Sequence, residues 1–230
     1  MRKIATSLLA LGLCAALAGS ASAANSVRIS QVFGGGGGSG FYLNDYVELF
    51  NNGGSAVDLS NWTIEYGSST GSWGSSGTNI FTFPSGASIQ PCSYVLVAMP
   101  AGTSGNALPV TPDYNGTLTI SQSSGKVALF NAVNTNLACG SELVGTLVDK
   151  VSWASANCPE GTNVSNAVNL TNQQGVVRNN GGIDDTDDNS ADFAVVSGPV
   201  PHNSGSPANT ACLATPTTSQ TWGKIKVLYR

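Results

Sequence analysis

Val27-Arg28-Ile29-Ser30-Gln31-Val32-Phe33 and Tyr46-Val47-Glu48-Leu49-Phe50-Asn51 decide the fold class. In the first run Val27, Ile29 and Gln31 alternate with Arg28 and Ser30. In the second, Val47 and Leu49 alternate with Glu48. Successive side chains of a strand point to opposite faces, so a period of two marks strands that bury one side. Between the two runs, residues 34–40 are almost pure glycine and read as a loop.

The same pattern continues outward at 62–66, 80–83, 94–98, 118–120, 126–130, 147–153 and 192–196. Each run is short and bounded by Gly, Pro, Asn, Asp or Ser, and no window carries a helical period. Eight or nine short strands at this spacing predict a sandwich or a barrel, with Trp62, Trp153 and Phe193 as core aromatics. A second long loop, 68–79, is Gly/Ser-rich around Trp73. Binding usually sits on such loops, so Trp73 is expected to be exposed there as a stacking or carbohydrate platform.

Arg2 and Lys3 precede an apolar stretch over residues 4–18, and Ala21-Ser22-Ala23 gives a small-x-small cleavage site. Residues 1–23 therefore read as a signal peptide, too short for a comfortable membrane span, and no second apolar run follows. Residues 24–213 form one β domain. Residues 214–230 form a Thr/Pro linker and a C-terminal tail. Cleavage would remove Arg2 and Lys3 and take the formal net charge from −4 to −6. Residues 24–220 hold all 13 acidic groups but only Arg28, Lys126, Lys150 and Arg178 as basic ones. Such a body repels nucleic acid and anionic lipid at long range. The tail is opposite in character, with Lys224, Lys226 and Arg230 beside Trp222 and Tyr229. It reads either as an anchoring signal or as a last element docked on the domain.

Cys92, Cys139, Cys158 and Cys212 remain after cleavage, and an even count in an exported chain favours two disulfides. Three pairings are open. Cys139–Cys158 closes a short loop and is preferred, which leaves Cys92–Cys212. No C-x-x-C spacing supports a metal site.

Catalytic patterns are present but incomplete. Gly67-Ser68-Ser69-Thr70-Gly71 fits G-x-S-x-G, yet no helix follows and His202 is the only histidine. Gly35, Gly37 and Gly40 fit a dinucleotide fingerprint that runs into a strand rather than a helix. Asp45, Glu48 and Asp58 read as edge or turn charges. The sequence gives no separation for acid/base work. Asp184-Asp185-Thr186-Asp187-Asp188-Asn189-Ser190-Ala191-Asp192 carries more. Asp185, Asp187 and Asn189 alternate like the first ligands of a calcium loop, with Asp192 beyond them. The glycine and distal glutamate of a helix-loop-helix site are missing. Two readings stand: calcium held by these four residues, or an Asx-rich turn that presents Asp192-Phe193 to the last strand.

Ile29 to Gly37 and Asn44 to Asn51, followed by Val57-Asp58-Leu59-Ser60-Asn61-Trp62-Thr63-Ile64, resemble the opening of bacterial secreted lamin-tail domains. The resemblance continues through Leu147-Val148-Asp149-Lys150-Val151-Ser152-Trp153, the Asp185–Phe193 motif and Pro199-Val200-Pro201-His202-Asn203-Ser204. It implies an immunoglobulin-like β-sandwich and a non-catalytic module that binds or organises cell-envelope or extracellular material. No cofactor is implied, calcium apart. Such domains also accompany secreted nucleases and phosphoesterases, so the alternative is a hydrolase or the accessory domain of one.

Overall fold

The computed structural model describes residues 26–37, 41–133, 136–142 and 146–212. Residues 1–23, read from the sequence as a signal peptide, the linker read after residue 213 and the tail residues Trp222, Lys224, Lys226, Tyr229 and Arg230 lie outside them. Twelve strands are formed: β1 (Val27–Phe33), β2 (Tyr46–Asn51), β3 (Val57–Asp58), β4 (Thr63–Ser68), β5 (Ile80–Thr82), β6 (Ser88–Ile89), β7 (Tyr94–Ala98), β8 (Tyr114–Asn115), β9 (Gly125–Phe130), β10 (Leu147–Trp153), β11 (Gln174–Arg178) and β12 (Phe193–Ser197). They make a β-sandwich. A large sheet has the order β12-β11-β1-β2-β7-β8, a small one β10-β9-β4-β5, and β3-β6 form a two-stranded ribbon. All pairings are antiparallel except β7–β8.

The core lies between the two sheets. Ile29, Val47, Leu49 and Val97 meet Ile64, Tyr66, Val127, Leu129 and Val151. Trp62, Trp153 and Phe193 join them, as their pattern predicted. Each such side chain, fully buried, contributes roughly 1.5–3 kcal/mol.

Three departures from the sequence reading have physical causes. A register shift between Ile29 and Gln31 turns the alternation over, so Val32 joins the core and Gln31 faces outward. A bulge of one residue exchanges the two faces of a strand. Residues 118–120 alternate because Leu118 and Ile120 are buried, yet they pair with no strand. β11 was unread because Gly175 interrupts it. A Cβ there would lie 2.8 Å from the Val32 carbonyl oxygen and 3.0 Å from Pro199, so close packing demands the glycine.

Both disulfides form, Cys92–Cys212 and Cys139–Cys158, with Cα separations of 5.5 and 5.6 Å. The first ends a strap that leaves β12 at Gly198 and crosses the outer face of the large sheet. Gln31 Nε2 donates to the Val200 carbonyl at 3.0 Å, and Ser204 N donates to Asp113 at 3.0 Å. Asn209 N donates to the Cys92 carbonyl at 2.9 Å.

Candidate functional site

β1 and β11 stay in register only from Gln31 to Phe33. Beyond that point Ile29 has no strand partner on the β11 side, and side chains take over. Its N–H donates to Asp149 Oδ2 at 2.6 Å, and its carbonyl accepts from Arg178 Nε at 2.9 Å. Arg178 Nη2 in turn lies 2.6 Å from Asp149 Oδ2. Asp149 comes from β10 and Arg178 from β11, so this pair joins the two sheets.

The acidic segment packs round that guanidinium. Asp185 contacts Arg178 at 3.3 Å and Arg28 at 2.9 Å. Asp192 lies 3.7 Å from Arg178 and accepts from Thr186 N and Oγ1, each at 2.8 Å. Asp188 caps the helical turn Asn189–Asp192 by accepting from Ser190 N at 3.0 Å. Asn189 is fully buried and behaves as a one-residue strand on the edge of β10. Its Oδ1 accepts from Ser152 N at 3.0 Å and Glu160 N at 3.2 Å. Its Nδ2 donates to the Lys150 carbonyl at 3.0 Å.

The four residues singled out for calcium therefore do not converge. Asp185 and Asp192 turn to Arg178, Asn189 turns to β10, and Asp187 takes a positive φ of 57° in an exposed turn. The segment forms an Asx-capped turn, and β12 begins directly after it at Phe193. Among the described residues, Asp149, Glu160 and Asp185 are the one group whose oxygens lie within 4.8 Å of one another. Burial raises Glu160 to about 8, helped by the charge of Asp149. Burial also raises Asp149 against the pull of Arg178. Burial works against the charge on Arg178, but Asp149 and Asp185 outweigh it and hold its pKa above the ordinary value.

Trp73 corrects a second expectation: it is fully buried, not an exposed platform. The outer face of the small sheet presents Ala128 and Phe130, and Trp73 covers them with Leu137, Leu147 and Cys158. Its Nε1 donates to Glu142 at 2.8 Å. The aromatic that looked available inside a polar loop is a lid on apolar surface.

A family model described as Lamin Tail Domain matches residues 20–155, more than half of the chain. The chain belongs to the lamin tail domain family. No curated protein matches it. Among solved structures it is similar to a DUF4876 family protein from Bacteroides thetaiotaomicron VPI-5482, at 13% identity and a TM-score of 0.51. That match covers 80% of this chain and 74% of the other. The likeness is one of fold. The matched stretch stops before β11, β12 and the acidic segment, although β11 and β12 pair into the same large sheet as β1.

Glu48, His202 and Asp45 of the lamin tail domain are each held by hydrogen bonds. His202 Nδ1 lies 3.2 Å from Glu48 Oε2, and its backbone N donates to the same oxygen at 2.5 Å. Ser30 Oγ donates to the other oxygen of Glu48 at 2.6 Å. The ring stacks on Tyr94 at 4.5 Å. The hydrogen bond to Glu48 raises the His202 pKa. Asp45 accepts from Gly36 N at 2.7 Å, and burial raises it to about 7.

Two expected results arise here. Asn189→Ala removes the partners of Ser152 N and the Lys150 carbonyl at a covered edge. It should cost about 1–3 kcal/mol in urea unfolding. An unchanged midpoint would show that solvent replaces the amide. Stability should also fall as pH rises. Glu160 and Asp45 keep protons in the folded chain above 4.5 and 3.8, where the unfolded chain has lost them. The His202 contribution is complete below 6.5 and is lost as pH climbs through its raised value. All three act in one direction, so urea midpoints should decline from about pH 5 to about pH 8. Glu160→Gln should flatten the upper part of that decline. A rising profile would contradict these assignments.

Proposed function

We propose that this lamin tail domain protein is a non-catalytic binding or structural module working outside the cytoplasm, attached to cell-envelope or extracellular polymer through its C-terminal segment. One observation carries the reading: among the described residues, the acidic cluster and the single histidine are engaged in holding the fold. Asp149, Asp185 and Asp192 hold Arg178, Asn189 holds β10, and Glu48 holds His202. Two disulfides suit an oxidising compartment. With Trp73 buried, the exposed loop aromatic is withdrawn as the binding group. Trp222, Lys224, Lys226, Tyr229 and Arg230 gather three basic and two aromatic residues into one short stretch, whereas residues 24–220 carry 13 acidic groups against four basic ones.

The test is co-sedimentation with envelopes from the source organism, in calcium and in chelator, for the full chain and for a chain lacking residues 221–230. The full chain should sediment under both conditions and the truncated one should stay soluble. Equal sedimentation of both would remove the tail from the proposal. No sedimentation of either would overturn attachment.

A further inference from the structure

Lys126 lies in β9 with no exposed surface, on the outer face of the small sheet between Gly67 of β4 and Ser152 of β10. Gly67 makes room for it, since a Cβ there would stand 2.8 Å from Lys126 Cε. Its Nζ meets Asn157 Oδ1 at 2.5 Å, the Gly71 carbonyl at 2.6 Å and the Ser68 carbonyl at 2.9 Å. Trp73 covers the group, with its ring centroid 5.1 Å from Nζ. Asn157 is fixed on both sides. Its N–H donates to the Ser69 carbonyl at 2.7 Å, and its neighbour Cys158 is bound to Cys139.

A buried primary amine is thus held against a side-chain carboxamide under an aromatic lid. We propose that Lys126 and Asn157 are the reacting pair of an intramolecular isopeptide bond, joining the lysine Nζ to the asparagine Cγ. The neutral amine attacks Cγ and forms a tetrahedral carbon. A proton leaves Nζ and is delivered to the amide nitrogen, the original C–N bond breaks, and ammonia departs. One C–N bond forms and one breaks, nothing is oxidised or reduced, and no co-reactant is consumed. Glu142, held by Trp73 Nε1, is the carboxylate whose charge acts on Lys126. Fixed proximity takes the place of a catalyst. Burial lowers the Lys126 pKa to about 8 against the opposing pull of Glu142, which brings the neutral amine within reach near neutrality. The product would tie β9 to the turn after β10 by a bond that reduction does not open. That suits a module exposed to proteases and thiols.

The three acceptors round Nζ equally suit an unreacted ammonium, and mass separates the two states. The purified full chain, held at a pH of about 8, should be lighter by one ammonia than its sequence requires once the hydrogens lost to the two disulfides are subtracted. Fragmentation should find the peptides around residues 126 and 157 joined, with no tryptic cleavage at Lys126. Lys126→Arg and Asn157→Ala should each restore the full mass. Full mass in the unaltered chain overturns the proposal and leaves Lys126 as an ammonium that anchors the 68–71 turn.

Discussion

Arg178→Met is expected to destabilise the domain by about 3–5 kcal/mol, since removing one member of a buried ion pair leaves its partner charged and uncompensated. The partner is Asp149, only 4% exposed, and Asp192 beside it is only 1% exposed. An ordinary buried pair can be replaced by two apolar residues at little cost. Here that rescue should fail. Arg178 and Asp149 also serve the carbonyl and the N–H of Ile29 where β11 leaves β1. The double variant Arg178→Met with Asp149→Leu would strand both backbone groups, each at about 1–3 kcal/mol. Urea denaturation of the single and double variants checks this. A double variant as stable as the unaltered chain would show that the bulge finds other partners. A single variant within about 1 kcal/mol would remove Arg178 from the centre of the fold.

Replacing Cys92 and Cys212 by serine should cost more than replacing Cys139 and Cys158. The two bridges close loops of very different length, with sequence separations of 120 and 19. Restriction of the unfolded chain gives about 4.7 kcal/mol for a loop near 100 residues and about 3 for one near 15. The long bridge also ends the strap that shields Glu48, so its loss exposes a carboxylate now only 1% accessible. Denaturation midpoints of the two serine pairs, compared under oxidising conditions, test the order. The reverse order would mean that the strap's contacts at Glu48 and Asp113 hold it without the bond.

Much of this architecture was legible because periodicity reports burial directly. β2, β4, β7, β9 and β10 stand where alternating apolar residues placed them, and the preferred cysteine pairing is the one formed. Burial is not pairing, however, which is why residues 118–120 read as a strand and are not one. A bulge leaves no mark in composition, so the alternation alone puts Gln31 on the wrong face. The acidic segment drew notice for its density of carboxylates, but their partner lies elsewhere in the chain. Arg178 ending a Val-rich run, and Asp149 beside Lys150 inside another apolar strand, were the available signal. Two opposite charges in apolar strands of one domain have to find each other. Trp73 misled because its glycine and serine neighbours describe the loop's path and not what the ring covers.

The bond from Cys212 to Cys92 also settles where mechanical load enters. Cys92 stands two residues before β7, which is held to β2 over the pairs from Tyr46–Ala98 to Phe50–Tyr94. A pull on the chain beyond Cys212 is therefore delivered to an inner strand and bypasses the strap and the marginal strand β12. A terminus that could be peeled becomes an internal mooring. Reducing that one bond hands the tension to β12, at the sheet's margin.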